Sequence, residues 1–348
     1  VVLYHAEKFL WAEDRKGNQS VSKEQRERKV FITRPIPEAA IERLSERFIV
    51  ERNKEDRNLR ANELRRAAKE ADGLLCLLTD KIDGKLLASV SNLRIVANMA
   101  VGFDNIDLKA ATERGIMATN TPGVLTETTA DLAWGLIMAC ARRIVEADRF
   151  TREGKFTGWG PMLFMGSDVY GKTLGIIGFG RIGQAVARRA QSFKMKVIYY
   201  DETEVPQPLQ KKLNARPVSL ETLLKEADFV TLHVPLTPTT RHLIGAAQLG
   251  LMKPGAYLVN TSRGPVINEK ELVSALKVDS IAGAGLDVYE REPALAAGLK
   301  KLSNVILLPH IGSASVETRT KMALMAADNI IKALAGKKPP NLLNPAVL

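Results

Sequence analysis

Only two cysteines and four histidines occur in the 348 residues. That is too few for a disulfide framework or a zinc site, which need more cysteines or closely spaced Cys and His, so no metal is expected. Cys76 and Cys140 both stand in apolar runs and read as small buried hydrophobes. This usage fits a reducing cytoplasm. No apolar run approaches the roughly 20 residues that a membrane helix needs, and Val1 to Lys29 lacks the charged-then-apolar order of an export signal. Neither a membrane partner nor export is therefore expected. The net charge is +11, which in principle attracts nucleic acid. Yet no aromatic residues interleave with the basic ones, and the basic residues are scattered among acids, as in Glu63-Leu64-Arg65-Arg66. They read as a solvated surface with a mild pull on anionic substrates rather than a nucleic-acid interface.

What is present is ordinary globular material, 45% apolar and 26% charged, in a length that suggests two domains. Residues 1–29 are polar, mixed in charge and without periodicity, and are expected to form a disordered or loosely packed extension. Order is expected from Lys29-Val30-Phe31-Ile32-Thr33, followed by a helix over 38–48, buried strands over 73–78 and 93–97, and a turn at Asn120-Thr121-Pro122-Gly123. A long helix is expected over 126–143. Strands follow near 173–178, 196–201, 229–234, 256–261, 281–287 and 305–309, and a last helix over 315–334. Strand alternating with helix implies an α/β fold with parallel sheets.

The run Leu174-Gly175-Ile176-Ile177 leads into Gly178-Phe179-Gly180-Arg181-Ile182-Gly183, and a helical pattern follows at once. Between a strand and a helix, this glycine spacing has a mechanism. Gly178 makes the tight turn, Gly180 lets a pyrophosphate approach the backbone, and Gly183 lets helix and strand pack closely. The helix N-terminus then offers free N–H groups and a positive dipole to the phosphates. The next strand ends in Asp201, an acid placed to accept from an adenosine ribose hydroxyl and to repel a 2′-phosphate. Glu202 and Glu204 add negative charge, and no Lys or Arg appears until Lys211. The expected cofactor is NAD, with NADH preferred over NADPH.

Hydride transfer to a carbonyl needs a proton donor, and a carboxylate substrate needs a cation. His5 lies in the first segment, His242 in a polar, surface-like stretch, and His233 closes a strand where it could line the cofactor cleft. His310 ends the strand Val305-Ile306-Leu307-Leu308-Pro309, Arg263 follows the strand over 257–261, and Glu292 follows the strand ending Gly285-Leu286. In open parallel sheets ligands sit outside the carboxyl ends of the strands. There a guanidinium suits a carboxylate, and a carboxylate beside an imidazole favours its protonated, acid-competent form.

With these residues in place, the chain resembles the family of D-isomer-specific 2-hydroxyacid dehydrogenases, and within it the glyoxylate/hydroxypyruvate reductases. The resemblance runs from about Val30 to the end. It is carried by Gly178 to Gly183, Ala227-Asp228-Phe229 through Pro238, Met252-Lys253-Pro254-Gly255 through Gly264, Gly285-Leu286-Asp287-Val288 with Glu292-Pro293, and His310-Ile311-Gly312. The subgroup rests on Ala100 to Asp107, Asp168 to Thr173 and Pro339-Pro340-Asn341-Leu342.

The resemblance implies Arg263 as the residue that binds the substrate carboxylate and carbonyl, His310 as proton donor and Glu292 as its partner. It implies that backbone N–H groups at Val101 and Gly102 hold the substrate carboxylate. The dinucleotide is expected to meet Gly178, Gly180, Arg181, Ile182, Gly183, Asp201, His233, Pro235, Thr261, Asp287 and Gly312. Glu292 further favours keto-acid chemistry, since formate-oxidising relatives carry an amide in that role.

Two Rossmann-like domains are expected, one flavodoxin-like and one dinucleotide-binding, with the active site in the interdomain cleft. Residues 30–125 and 312–348 are assigned to the substrate-binding domain and 126–311 to the dinucleotide-binding domain. Family members are usually dimers, so a homodimer is expected, and Trp159 resembles a residue that reaches the partner's active site. The expected reaction is reduction of glyoxylate or hydroxypyruvate to glycolate or D-glycerate. A phosphoglycerate- or lactate-type dehydrogenase is one alternative, and a non-catalytic NAD-sensing corepressor-like protein is another.

Overall fold

The computed structural model describes residues 27–348. The expectation for the first 29 residues lies outside that range up to residue 26, and Lys29 already belongs to the first strand. The described residues form two compact units, one from 27–99, 105–120 and 324–348, the other from 100–104 and 121–323. These borders differ from those expected in three places, at 100–104, 121–125 and 312–323, and local bonding accounts for the first and the last. The strip 100–104 joins the second unit because Asp104 Oδ1 accepts from Arg263 Nε at 3.0 Å. The first turns of the last helix, Val316–Leu334, join it because Thr318 and Thr128 share a hydroxyl hydrogen bond.

The first unit holds a five-stranded, all-parallel sheet of β1 (Lys29–Ile32), β2 (Ile49–Arg52), β3 (Gly73–Cys76), β4 (Ile95–Asn98) and β5 (Met117–Thr119). Its order is β2-β1-β3-β4-β5, which is the flavodoxin-like winding. β3 and β4 are buried at every position, as continuous apolar strands covered on both faces should be. β2, with the sequence Ile-Val-Glu-Arg, is the exposed edge. Apolar faces of the helices Ala61–Glu70 and Gly84–Ala88, through Leu64, Ala68, Leu86 and Leu87, close one side over Leu74 and Val96.

The second unit holds seven parallel strands: β6 (Thr173–Ile177), β7 (Lys196–Tyr200), β8 (Ala215–Pro217), β9 (Phe229–Leu232), β10 (Tyr257–Asn260), β11 (Gly283–Leu286) and β12 (Val305–Leu307). The order β12-β11-β10-β9-β6-β7-β8 is that of a dinucleotide-binding fold, with one strand added at the edge and the direction of winding reversed between β6 and β9. The helix Thr126–Ala141 crosses β11 at Gly285, where a Cβ would stand 3.1 Å from both Leu136 Cβ and Cys140 Sγ, so any side chain there would press on the helix. That helix ends before the expected residue 143. Arg143 adopts a left-handed conformation, and a separate helix, Ile144–Arg152, follows. Cys76 and Cys140 are free and buried, and burial pushes the Cys140 thiol up to about 12. Among the described residues, no helix is long and apolar enough to cross a membrane.

Candidate active site

The glycine turn sits at the point where the strand order reverses. Gly178 has φ +91°, and a Cβ there would stand 2.6 Å from the His233 carbonyl carbon. Both conditions exclude a side chain. A Cβ at Gly183 would lie 2.2 Å from Gly178 O, so helix and strand are in backbone contact. A Cβ at Gly180 would meet nothing within 4 Å, and this is the position where the turn opens onto the helix Arg181–Ala190. Phe179 anchors the turn by stacking on Tyr199 with centroids 4.1 Å apart. Arg181 is exposed, whereas Ile182 turns partly into the core.

Asp201 lies just beyond β7 with its carboxylate fixed by two backbone donors, Phe179 N at 2.6 Å and Thr203 N at 2.7 Å. Each oxygen keeps acceptor capacity for a further donor. His233 follows β9, and its Nε2 meets Thr231 Oγ1 at 2.9 Å. Although the residue keeps some exposure, its Nδ1 is sealed and has no hydrogen-bond partner among the described atoms. Burial lowers its pKa to about 3. Pro235 is exposed and its carbonyl accepts from Thr240 Oγ1. Thr261 is buried with an unpartnered hydroxyl. The open space at Gly180, the oriented Asp201 carboxylate and the two unpartnered polar atoms all fit a dinucleotide held along this edge of the sheet.

Arg263, Glu292 and His310 follow β10, β11 and β12, three neighbouring parallel strands, and so emerge on the same edge. His310 Nδ1 faces Glu292 Oε2 at 2.9 Å, and Glu292 Oε1 accepts from Tyr289 N at 3.0 Å. Burial pushes the Glu292 carboxyl up. The hydrogen bond and charge of His310, the Tyr289 N–H and the Arg263 charge outweigh this and hold it below the usual carboxylate range. The Arg263 guanidinium passes over Gly102, where a Cβ would fall 1.6 Å from Nη2. It is steered by Asp104 and by its own Nη1 bond to Ser262 O at 2.9 Å. Val101, Gly102 and Arg263 therefore belong to one compact unit.

Asp287 is buried beneath the His310 loop, where its two oxygens accept from Ile311 N and Gly312 N, each at 2.7 Å. Burial raises its pKa, against the pull of these donors and of His310. His310 itself sits at φ +55°, a turn that the Asp287 anchor helps impose.

Several organising residues carry no local sign of their task. Asn260, fully buried at the end of β10, accepts from Ser262 N and Oγ and donates to Arg263 O at 2.9 Å, which shapes the turn that presents the guanidinium. Tyr289 Oη donates to Leu308 O at 2.7 Å, tying the Glu292 loop to the end of β12. Among the described residues, no group of three or more His, Cys, Asp or Glu could hold a metal ion.

Residues 134–312 match the family model described as D-isomer specific 2-hydroxyacid dehydrogenase, NAD binding domain. The chain is 52% identical over 324 residues to a glyoxylate reductase of Thermococcus litoralis, an alignment that covers 92% of this chain and 98% of that relative. Among solved structures, it is similar to the TT0316 protein of Thermus thermophilus, with TM-score 0.85, 44% identity, and coverage of 90% of this chain and 99% of the other. It is also similar to an NADPH-dependent glyoxylate/hydroxypyruvate reductase of Sinorhizobium meliloti, with TM-score 0.80, 32% identity, and coverage of 92% and 99%.

Proposed function

The chain belongs to the D-isomer specific 2-hydroxyacid dehydrogenase family, and we propose that it reduces glyoxylate and hydroxypyruvate, with NADH preferred over NADPH. The observation that carries the reading is the hydrogen-bonded His310–Glu292 pair on the same sheet edge as Arg263. A carboxylate partner favours the imidazolium that reduction requires. With Nδ1 turned to Glu292, the proton leaves from Nε2 toward the carbonyl oxygen. Arg263 neutralises the substrate carboxylate and polarises the carbonyl, supported by the backbone at Val101 and Gly102. When bound, the nicotinamide supplies the hydride to the keto carbon, and the product is the 2-hydroxy acid.

Gly178 to Gly183 would hold the pyrophosphate, Asp201 the adenosine ribose, and His233, Pro235, Thr261, Asp287 and Gly312 the remainder of the dinucleotide. The preference for NADH is supported by the fixed Asp201 carboxylate, which meets a 2′-phosphate with like charge. Such preference varies among similar proteins, as the NADPH-dependent relative illustrates.

A homodimer belongs to the same reading. Phe156, Trp159, Met162 and Met165 form an exposed apolar stretch in which Trp159 is 85% exposed, a surface of the kind that a partner covers. Two buried free thiols also suit a reducing cytoplasm. The test follows NADH consumption with glyoxylate, hydroxypyruvate and pyruvate in parallel, then repeats it with NADPH. Turnover of the first two with NADH supports the reading. Tight NADH binding without turnover of any keto acid replaces it with a sensor.

A further inference from the structure

Glu269 opens the helix Glu269–Lys277, is buried, and touches none of the groups assigned to the reaction. Its carboxylate spans the base of the loop that carries Glu292. Oε1 accepts from Glu290 N at 2.5 Å and Oε2 from Ala296 N at 3.2 Å. Between these two points the loop turns back on itself, with Ala294 N donating to Arg291 O at 2.8 Å, and Glu292 lies within the turn. The tie is reciprocal at one end, where Glu290 Oε2 accepts from Glu269 N at 3.4 Å while its Oε1 meets His242 Nε2 at 2.9 Å.

No Lys or Arg pairs with Glu269 among the described salt bridges. Its pKa is raised, by burial first and also by the charges of Glu290 and Glu292, against the two backbone donors. A buried carboxylate held without a cation is a poor choice for stability alone. A group with two acceptor oxygens is nevertheless what is needed to hold both ends of one loop.

We propose that Glu269 is a positioning residue for the reduction, fixing the Glu292 loop so that Glu292 Oε2 stays on His310 Nδ1. The inference rests on the reading of His310 as proton donor. It also accounts for how an exposed turn keeps hydrogen-bond geometry across two strand ends: Tyr289 N is given to Glu292, Glu290 N to Glu269. The charged groups around the pair are Asp287 and Glu292 facing His310, Arg263 facing Glu292, and His242 and Arg241 facing Glu290.

The test uses Glu269→Gln, Glu292→Gln and the double variant. A glutamine offers one acceptor oxygen and sets an N–H against the other loop donor, so one arm of the clamp is lost. Turnover of glyoxylate is expected to fall about 10- to 100-fold with the KM for NADH changed by less than about twofold. The pH profile of turnover differs from that of the parent, because the carboxylate partner of His310 is no longer held in place. In the Glu292→Gln background the same substitution adds less than about twofold, as expected when one residue acts through the other.

A readout independent of turnover is the downfield Nδ1–H resonance of His310, identified by its loss in His310→Gln. It moves upfield or broadens in Glu269→Gln. Should that variant fail to fold, Glu269→Asp keeps the charge but is one methylene short of bridging both ends, and gives a smaller change of the same sign. An unchanged His310 resonance and pH profile, or a loss fully additive with Glu292→Gln, overturns the proposal. If the parent protein reduces no 2-keto acid, the reading of function fails, while the resonance still decides the role of Glu269.

Discussion

Gly264 and the peptide joining Tyr289 to Glu290 are in backbone contact, so that a methyl group on Gly264 would stand 1.8 Å from the Tyr289 carbonyl carbon and 2.5 Å from Glu290 N. The turn after β10, which presents Arg263, and the loop after β11, which presents Glu292, therefore share one van der Waals surface with no side chain between them. Neither can shift alone.

Gly264→Ala is the direct check of this coupling. The added methyl meets backbone rather than a flexible side chain, so relief requires one of the two loops to move. Overpacking of this kind costs about 1–3 kcal/mol, measured by urea unfolding. The catalytic loss is expected to exceed the stability loss in consequence, because Arg263 and Glu292 are displaced relative to each other. A variant with full turnover of glyoxylate and an unchanged melting temperature would show that the contact has slack.

His310→Gln removes the proton donor and leaves the glycine turn untouched. Turnover should drop by about 10² to 10⁴, the usual worth of a general acid, while NADH affinity by fluorescence titration stays within about twofold. Glu292→Gln should reduce turnover less than His310→Gln does, since it removes the partner of the donor rather than the donor itself. Near-normal turnover in His310→Gln would assign the proton to another group.

The parts of this site legible in the sequence are those whose signal is local. Gly178, Gly180 and Gly183 announce a turn between a strand and a helix, and Arg263, Glu292 and His310 each follow an apolar strand. Gly264 and Glu269 carry no such signal because their importance lies in partners far along the chain, such as Glu290 and Ala296 for Glu269, while Asn260 braces its near neighbours Ser262 and Arg263 from the end of a strand where nothing in the sequence marks its side chain for that task. The same limit applies to the fold. The buried strands β3, β4, β6 and β9 read as apolar runs, whereas β2 is an exposed Ile-Val-Glu-Arg edge and β8 is three residues ending in a proline. The helix over 126–143 reads as continuous because neither glycine nor proline marks its end. Its break depends instead on a left-handed Arg143 whose guanidinium is tied to Glu146 and stacked over Phe164.

Cofactor choice can be tested at Asp201. Its carboxylate is fixed by Phe179 N and Thr203 N, so it cannot swing away from a 2′-phosphate. Wild-type kcat/KM should favour NADH over NADPH by about 100-fold or more, roughly 2.7 kcal/mol or more. Asp201→Ser should narrow the ratio by at least about tenfold, mainly through a lower KM for NADPH. Equal use of both cofactors by the wild type would remove Asp201 as the selecting residue.

The sealed imidazole of His233 makes a prediction about acid stability, with a definite sign. Burial lowers its folded-state pKa to about 3, while an unfolded chain binds the proton near its ordinary value of about 6.5. The contribution of the neutral ring is fully present above that ordinary value. It is lost as pH falls, because only the unfolded state takes up a proton across this window, at a limiting slope of about 1.4 kcal/mol per pH unit. Many carboxylates titrate in the lower part of the same range, so the comparison must be made against His233→Asn. Urea unfolding of both proteins at pH 7, 6 and 5 should show the wild type losing about 1 kcal/mol more than the variant between pH 6 and 5. Bound dinucleotide adds its own stabilisation to whichever form binds it, so the measurement belongs on protein freed of cofactor. Parallel curves for the two proteins would mean that water reaches Nδ1, and that the ring is available to a proton well before the fold gives way.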